Sequence, residues 1–261
     1  MDKTMVLING DTSKTLSCEE FDASESMIDT QYFGIESAKV VLKKECLTDQ
    51  AQNDFLNFSQ AFEFVSITNK SNNPFNNRWL GEKTKSFLTD INMQLIKKVS
   101  ITEKHDAEKA EIVDNFPEDN RIIQIAETSF GFSRFLNDPY LPIEKARRIY
   151  GDMTKNAFRK PGRFFAIIKR AGVINGYLLF SFNNQTLSST LELVAIDQDY
   201  KGRGIGRLLI TSMENFVAKK GVDTIKVGTQ LSNIDALKFY TSYGFKHFEC
   251  NSIYHYWPSK P

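Results

Sequence analysis

The sequence feature that most restricts the fold is a glycine-rich turn between a strand-like segment and a segment with helical spacing. Gly202, Gly204 and Gly206 follow the apolar segment at 190–196 and lead into a run whose apolar residues recur every three or four positions. The free amides of a first helical turn and the positive end of the helix dipole attract an anion, so this turn suits a diphosphate. It is not a Walker loop, because Arg207 stands where Lys is required, and its GxGxG spacing differs from the Rossmann fingerprint.

The elements around this turn predict a mixed α+β domain. Short linkers between three consecutive strands favour antiparallel hairpins, and Pro117 with Glu118 suits the first turn of a helix. Gly221 is a left-handed stop for the helix that follows the glycine turn. The predicted order after about residue 110 is strand 111–116, a helix from Pro117, helix 142–158, strands 163–170, 174–182 and 190–196, a helix to Gly221, strand 224–230, helix 233–242, and two strand-like runs, FKHFE and SIYHYW. This order predicts a central, mostly antiparallel sheet flanked by helices.

The first half of the chain has weaker patterns. Alternation predicts strands at 37–44 and 87–99, and the spacing of Phe residues favours a helix within 47–69. The segment SNNPFNN at 71–77 is typical of an exposed loop. We therefore predict two parts, an amino-terminal α/β region at 1–108, expected to contribute to an acceptor site or a dimer, and a second domain at 109–261.

Composition and charge exclude several classes of function. Lys and Arg number 33 against 32 Asp and Glu, and a net charge of +1 excludes the basic surface of most nucleic-acid-binding proteins. The three Cys lie far apart and the three His show no metal-ligand spacing, so we predict neither a disulfide framework nor a metal site. The first residues lack a signal-peptide pattern and no apolar run approaches the roughly 20 residues of a membrane span, so we expect no membrane association and a cytoplasmic location.

A second informative pattern lies in NIDALKFYTSYGF at 233–245. Asn233 and Tyr240 are seven residues apart, and two helical turns return to nearly the same face. Both side chains are therefore expected to point the same way, as contacts with one ligand require. The structural alternative is that Asn233 is an N-cap and Tyr240 a core aromatic residue.

Together with the element order, these two patterns resemble the GNAT superfamily of acyl-CoA transferases. The segment from Lys201 to Gly206 is similar to its R/Q-x-x-G-x-G/A loop, with Lys in place of the usual Arg or Gln, and the segment from Asn233 to Tyr240 is similar to its NxxAxxxY helix. The resemblance implies a GNAT fold with a splayed fourth strand, and acyl-CoA, with an acetyl or short hydroxyacyl group, as co-substrate. The acyl-CoA contacts that it implies are Val194, Ala195, Ile196, Lys201, Gly202, Arg203, Gly204, Ile205, Gly206, Arg207, Asn233 and Tyr240.

Further segments resemble GNAT enzymes that acetylate an amino-dideoxy sugar carried on TDP. These segments are YFG at 32–34, SRF at 133–135, GTQLSN at 228–233 and NSIYHYW at 251–257. The resemblance implies a TDP-linked amino sugar as acceptor, for surface polysaccharide synthesis, and is compatible with a homodimer. Arg134 and Tyr140 are the candidate acceptor-binding residues, Arg134 through the diphosphate, with a surface salt bridge as the alternative. Two other functions stay open, a GNAT enzyme for protein, peptide or small-molecule amines and a non-catalytic acyl-CoA sensor.

Acyl transfer to an amine requires a proton donor for the leaving thiolate and a base for the amine. Tyr240 is the candidate donor, because an ordinary tyrosine pKa of about 10 lies above that of a thiol, about 8.5. For the base, alignment with the sugar-acetylating enzymes indicates Asp90, whereas the use of a strand Glu by several GNAT enzymes indicates Glu192. Unbroken alternation in that strand would put on one face the residues Thr190, Glu192, Val194 and Ile196. That face borders either the cleft or solvent, and an ordinary solvated acid is the alternative for each carboxylate.

Overall fold

Eleven strands form one continuous sheet in the computed structural model, which describes residues 14–100, 109–183 and 185–260. The strands are Thr15–Ser17 (β1), Phe21–Glu25 (β2), Ser37–Leu42 (β3), Phe64–Asn69 (β4), Phe87–Lys98 (β5), Glu111–Asp114 (β6), Phe164–Arg170 (β7), Val173–Asn183 (β8), Ser188–Ile196 (β9), Thr224–Gln230 (β10) and Lys246–Tyr256 (β11). The α-helices are Met27–Phe33 (α1), Asp49–Ser59 (α2), Pro74–Lys83 (α3), Asn120–Ser129 (α4), Ile143–Ala157 (α5), Ile205–Ala218 (α6) and Ile234–Ser242 (α7). None of the helices within these ranges is long and apolar enough to cross a membrane.

The two halves of the chain exchange strands. The sheet order is β1-β2-β3-β4-β11-β5-β10-β9-β8-β7-β6, with parallel pairing between β3 and β4 and between β9 and β10. β5 lies between β11 and β10, and β11 lies between β4 and β5. β11 of the second half therefore borders the parallel pair β3–β4 of the first half, and β5 of the first half borders the parallel pair β9–β10 of the second. The sheet crosses the predicted boundary between 1–108 and 109–261, and that division stays a prediction because 101–108 lies outside the described residues.

The apolar core is divided among faces of this sheet. Helix α6 buries Leu209 against one face of the carboxyl-terminal strands, and α4 buries Ile122 against the opposite face. A separate cluster around Phe55 of α2 forms the core of the amino-terminal half. Phe33 of α1 and Trp257 after β11 belong to a fourth cluster that also contains residues of α5. This last cluster packs the two halves against each other, and each fully buried large side chain in it contributes about 1.5–3 kcal/mol.

Most of the elements predicted after residue 110 are confirmed, as are the strands predicted at 37–44 and 87–99. The helix predicted from Pro117 begins instead at Asn120, because Asp119 caps it by accepting from the N–H of Arg121 and of Ile122.

The helix predicted within 47–69 is wrong in its second part, because α2 ends at Ser59 and β4 begins at Phe64. Nearly every residue of β4 is buried. Phe62 and Val65 continue the three- and four-residue spacing of Phe55 and Phe58, so periodicity alone does not separate the start of this buried strand from a helix.

The exposed loop predicted at 71–77 is wrong, because this segment contains the start of α3. The side chain of Asn73 accepts hydrogen bonds from the backbone N–H of Phe75 at 2.9 Å and of Asn76 at 3.4 Å. Pro74 occupies the first helical position. Asn and Pro are common in turns, but they are equally the residues that begin helices.

Bulges change two of the predicted strands. A bulge at Phe248 joins the runs FKHFE and SIYHYW into the single strand β11. A second bulge, at Glu192, makes the unbroken alternation predicted for β9 wrong, because Leu191 and Leu193 pack into clusters on opposite faces of the sheet. The last residue pair between β9 and β10 is Leu191 with Val227, and beyond it the two parallel strands separate. The bulge therefore opens a gap in the sheet.

Candidate active site

The separated ends of β9 and β10 border a cavity of about 440 Å³ above the start of α6, which we call the strand-end cleft. The residues of the predicted set that line it are Glu192, Val194, Ala195, Ile196, Lys201, Gly202, Gly206, Asn233 and Tyr240. The remaining residues of the glycine segment, in the loop and the first turn of α6, are Arg203, Gly204, Ile205 and Arg207. Side chains and backbone from β9, the glycine segment and α7 thus meet at one cleft.

The loop before α6 has the backbone geometry of an anion cradle. Gly202 and Gly204 have φ angles of +75° and +79°, which L side chains rarely adopt, and Gly204 is the N-cap of α6. No side chain caps this helix and no acidic residue lies in its first turn, so its first amides are open to a ligand. Gly206 has a different role, since a Cβ there would lie 3.0 Å from the ring of Phe239 on α7.

Three exposed cationic side chains surround this loop, those of Lys201, Arg203 and Arg207. The guanidinium of Arg203 lies 5.0 Å from the centre of the Tyr200 ring, and that of Arg207 lies 5.9 Å from the Tyr243 ring. Together with the helix dipole, they give the mouth of the strand-end cleft a positive field. The residues present therefore fit a diphosphate such as that of CoA.

Asn233 and Tyr240 both line the strand-end cleft, and each also has a structural role. The side chain of Asn233 accepts a hydrogen bond from the N–H of Ala236 at 3.2 Å and so caps α7. Tyr240 is 5% exposed and packs against Phe245. Burial raises the pKa of Tyr240 well above its ordinary value, so its hydroxyl keeps its proton at neutral pH. Asn233 and Tyr240 therefore have the structural roles named as the alternative, and they also lie on the same side of α7 as predicted.

Glu192 lies at the β9 bulge and borders the same cleft, but its carboxylate already has partners. Ser181 donates a hydrogen bond to Glu192 at 2.6 Å, and the Nε of Arg163 forms an ion pair with it at 2.9 Å. Both oxygens of the Glu192 carboxylate are therefore engaged within the protein.

A second cavity, of about 620 Å³, lies across the central strands, and we call it the central pocket. Its walls include α1, β3, β4 and β5 from the amino-terminal half and α5 and β11 from the other half. Amide and hydroxyl side chains form much of its polar lining, namely Thr68, Asn92, Gln94 and Asn251. The pocket exists because of the strand exchange, which places β5 and β11 side by side.

Asp90 and Arg134 both line the central pocket. Burial raises the pKa of Asp90, against the smaller opposing effects of the Ile91 N–H and of the positive charge of Arg134. The Nε of Arg134 is buried and has no hydrogen-bond partner among the described residues. Burial lowers the pKa of Arg134, while the nearby charges of Asp29 and Asp90 act in the opposite direction. A buried guanidinium nitrogen without a partner is costly, and an anion in the pocket would satisfy it.

Lys39 adds a second positive charge to the same pocket. Its Nζ lies 3.4 Å from the carboxylate of Asp29, which also accepts a hydrogen bond from Ser26 at 2.7 Å. Asp29 is the acidic group with the largest effect on Arg134, so two cations share one carboxylate. Sequence reasoning missed Lys39, because only the sheet pairing brings β3 opposite the segment that holds Arg134.

Tyr140 lies apart from the residues that line the central pocket. It is 40% exposed, and its ring centre lies 5.5 Å from that of Trp257 and 6.2 Å from that of Phe87. Its backbone N–H donates to Asp138 at 2.8 Å. These contacts give Tyr140 a packing role at the surface, and the prediction that it contacts the acceptor gains no support from its position.

Two further residues connect the cavities. Of the described residues, Tyr150 on α5 and Gln230 at the end of β10 line both the strand-end cleft and the central pocket. Gln230 donates a hydrogen bond from Nε2 to the hydroxyl of Tyr150 at 3.3 Å. Sequence reasoning placed both in the correct elements but assigned neither to the site. Tyr150 belongs to no motif, and Gln230 entered only as part of the GTQLSN segment, whose resemblance gave it no role.

Comparison with known proteins agrees with this geometry. The acetyltransferase (GNAT) family profile matches residues 121–245. The chain is 29% identical to the spore coat polysaccharide biosynthesis protein SpsD of Bacillus subtilis over 140 residues, which are 53% of this chain and 47% of that protein. It is 33% identical to the dTDP-fucosamine acetyltransferase of Escherichia coli O6:H1 over 123 residues, 46% of this chain and 51% of that protein. The chain thus spans about half the length of these curated relatives.

The similarity to solved structures extends over nearly the whole chain, as one example shows. This example is a tandem GNAT protein from the clavulanic acid biosynthesis pathway, with a TM-score of 0.59 and 10% identity, covering 95% of this chain and 83% of that one. At that identity the likeness concerns the fold alone. It extends the shared architecture to the amino-terminal half, which the family profile leaves out.

Proposed function

Residues 121–245 of this chain form a GNAT acetyltransferase domain, and from that premise we propose that the protein transfers an acyl group from acyl-CoA to the amine of a TDP-linked amino-dideoxy sugar. The observation that carries the proposal is the arrangement of two cavities that meet at Tyr150 and Gln230. One has an anion cradle, and the other has an unpaired guanidinium nitrogen and a carboxylate of raised pKa.

On the donor side, the first amides of α6 and the cations Lys201, Arg203 and Arg207 would bind the CoA diphosphate. The pantetheine arm would then run between β9 and β10, where β9 presents backbone groups that β10 no longer pairs. This path leads the acyl group toward Tyr240 and the opening to the central pocket. The thioester supplies an activated acyl group. The protein binds and orients the two substrates and exchanges protons with them.

On the acceptor side, the pocket chemistry supports a nucleotide-linked sugar. Sugar hydroxyls both donate and accept hydrogen bonds, and the amides of Asn92, Gln94 and Asn251 do the same. Arg134 and Lys39 carry two positive charges, and the carboxylate of Asp29 that they share balances only one of them. A diphosphate in the pocket would balance the other. The two curated relatives, one named for polysaccharide synthesis and one for a dTDP-sugar, agree with this assignment.

The proposed chemistry uses one group from each cavity. The amine nitrogen forms a bond to the thioester carbon, and the bond from that carbon to sulfur breaks. Asp90 accepts the proton that the nitrogen loses, since its raised pKa makes it a better base than an ordinary carboxylate. Tyr240 donates its proton to the departing thiolate. Asp90 is preferred to Glu192 as the base because Glu192 is held by Arg163 and Ser181.

The wider setting of the reaction belongs to the same proposal. The product would enter surface polysaccharide synthesis, in the cytoplasm, with an acetyl or short hydroxyacyl group as the transferred unit. We also propose that the amino-terminal region, 1–108, contributes the acceptor site as part of a two-part chain, and that the enzyme is a homodimer. Sedimentation of the purified protein tests the assembly directly.

The experiment that tests the function is a thiol-release assay with acyl-CoA and three kinds of amine. TDP-linked 3-amino and 4-amino dideoxyhexoses are expected to be acylated, and peptide amines to react at least tenfold more slowly. Arg134→Gln should raise the KM of the TDP-sugar but leave that of the same amino sugar without TDP nearly unchanged. Equal or faster rates with peptides would overturn the sugar assignment and favour a peptide acceptor.

A further inference from the structure

The opening between the strand-end cleft and the central pocket is the place where acyl donor and amine must meet, if donor and acceptor occupy the cavities proposed above. Tyr150 and Gln230 line both cavities, so a reacting pair held in them passes close to these two side chains. Both come from regular elements, the helix α5 and the end of β10. Groups on such elements hold a geometry more tightly than groups on loops.

The hydrogen bonds of this pair leave one free acceptor position, on Gln230. The hydroxyl of Tyr150 donates to the carbonyl oxygen of Phe132 at 3.0 Å and accepts from Gln230 Nε2 at 3.3 Å. Ser133 is a second side-chain donor to this hydroxyl, and a hydroxyl oxygen accepts two hydrogen bonds, so Tyr150 has no acceptor position left. The amide oxygen of Gln230 accepts no hydrogen bond from a described residue. The Tyr150 ring is fixed by Phe130, whose ring centre lies 4.5 Å away.

This free acceptor matches one need of a neutral amine at the moment of attack. A primary amine has two N–H groups and one lone pair, and the lone pair must face the thioester carbon while one N–H group faces the base. An acceptor that holds the other N–H group therefore aims the lone pair. The charged groups near this opening, Asp90 and Arg134, are suited to taking the proton and holding the anion, which leaves amine orientation to neutral groups.

We propose that Gln230 binds one N–H group of the acceptor amine through its amide oxygen, held in place by its hydrogen bond to Tyr150, and thereby aims the amine at the acyl group, while the other N–H group faces Asp90. Gln230 and Tyr150 take no proton and form no bond to the acyl carbon. The inference rests on the proposed acyl transfer but is independent of the sugar assignment, because every primary amine presents the same N–H groups.

Substitutions of Gln230 test the proposal through its amide oxygen. Gln230→Met keeps the length of the side chain and removes the acceptor, so kcat should fall by about 10- to 100-fold while the affinity for CoA changes by less than about twofold. Gln230→Glu keeps an acceptor oxygen, and on the alkaline side of the pH profile it should recover most of the lost kcat. A purely structural role would not give this recovery.

Tyr150→Phe removes the hydroxyl that accepts from Gln230 Nε2, so the Gln230 amide loses its anchor and kcat should fall by about tenfold. The matched control is Tyr177→Phe, which removes a buried hydroxyl bonded to Thr154 at 2.8 Å outside both cavities. The control should lower the melting temperature and leave kcat within about twofold of wild type. A control that lowers kcat as much as Tyr150→Phe would overturn the role of Tyr150.

The acceptor in these assays is the amine that the wild-type protein acylates fastest, whether a TDP-sugar or a peptide. Failure of the sugar assignment then changes only the acceptor, and the comparison among variants still stands. If Gln230→Met keeps kcat within about threefold of wild type, the orienting role is wrong. If the wild-type protein acylates no amine, the acyl transfer itself is wrong and this inference falls with it.

Discussion

The two parallel crossovers of the sheet follow the same plan, but they differ at the positions that matter for binding. In the amino-terminal half, β3 and β4 stay paired from Ser37 with Phe64 to Leu42 with Asn69, and α2 connects them. In the carboxyl-terminal half, β9 and β10 part after Leu191, and α6 connects them. One crossover is closed along its length, and the other is open at its end.

The helices of the two crossovers begin differently. Thr48 caps α2 by accepting from the N–H of Ala51 at 3.3 Å, and Asp49 places a negative charge in the first turn. Gly204 precedes α6, which has neither a capping side chain nor an acidic residue at its start. In α2 the first amides and the helix dipole are satisfied within the protein. In α6 they are left open for an external anion.

The helices that follow the second strand of each crossover show the same contrast. Asn73 caps α3 and Leu80, seven residues later, is fully buried. Asn233 caps α7 and Tyr240, again seven residues later, is nearly so. The local design is shared, and the hydroxyl of Tyr240 is the chemical difference. A bulge, a glycine loop and one hydroxyl thus distinguish the open crossover from the closed one, and the closed half instead contributes strands and walls to the central pocket.

The largest expected effect comes from separating the halves. A protein of residues 109–261 alone lacks β5, which borders both β10 and β11, so three edges that are paired in the full chain become exposed. We expect it to be insoluble or to lack a cooperative thermal transition, as measured by circular dichroism. Co-expression with residues 1–108 should restore a soluble complex. A cooperative transition for 109–261 alone would show instead that the second half folds independently.

The next largest effect concerns the residues at equivalent places in α3 and α7. Tyr240→Phe should leave folding and CoA affinity intact and lower turnover by roughly 10² to 10⁴, because the thiolate loses its proton donor. Leu80→Ala should do the opposite, costing about 2–5 kcal/mol of unfolding free energy with turnover of the folded enzyme unchanged. Melting temperature, CoA affinity and turnover are measured on both. Turnover within about threefold of wild type for Tyr240→Phe would remove this residue from the mechanism.

A smaller effect is expected at the helix starts. Gly204→Val forces a β-branched residue to a φ of +79°, so the loop must change shape and CoA affinity should fall by about tenfold or more. Thr48→Val removes the cap of α2 and should cost about 1 kcal/mol of stability without a change in CoA affinity. Calorimetric titration with CoA and thermal melts compare the two. Equal CoA affinity in wild type and a folded Gly204→Val variant contradicts the anion cradle.

The smallest effect is a displacement of the pH profile. The charge of Arg134 lowers the pKa of Asp90, so Arg134→Gln lets that pKa rise further. Asp90 must be ionised to accept a proton, and the acid limb of kcat/KM should therefore move to higher pH. Arg163→Gln, which removes the ion pair of Glu192, is the matched control and should leave the limb in place. A limb that moves with Arg163→Gln instead would identify Glu192 as the base.

Local chemistry determined much of what could be predicted from the sequence. The glycine turn, the cap at Asn233 and the stop at Gly221 act over a few residues, so the helices α6 and α7 and the strands between 163 and 230 follow from short stretches of chain. The same locality placed Asn233 and Tyr240 on one helical face. Asp90 and Arg134 were chosen through resemblance, and nothing in their neighbouring residues indicates that they share a pocket.

The tertiary structure alone decided how these pieces form a site. The exchange of β5 and β11 pairs residues more than a hundred positions apart, and no local pattern specifies which strand borders which. The bulge at Glu192 breaks an alternation that looks regular in the sequence, because it depends on the register with β8. Tyr150 and Gln230 became neighbours because α5 lies near the end of β10, a contact that no local pattern specifies. Capping and periodicity are short-range effects encoded in adjacent residues. Strand order and register come instead from packing the whole chain, and the central pocket depends on strand order and register.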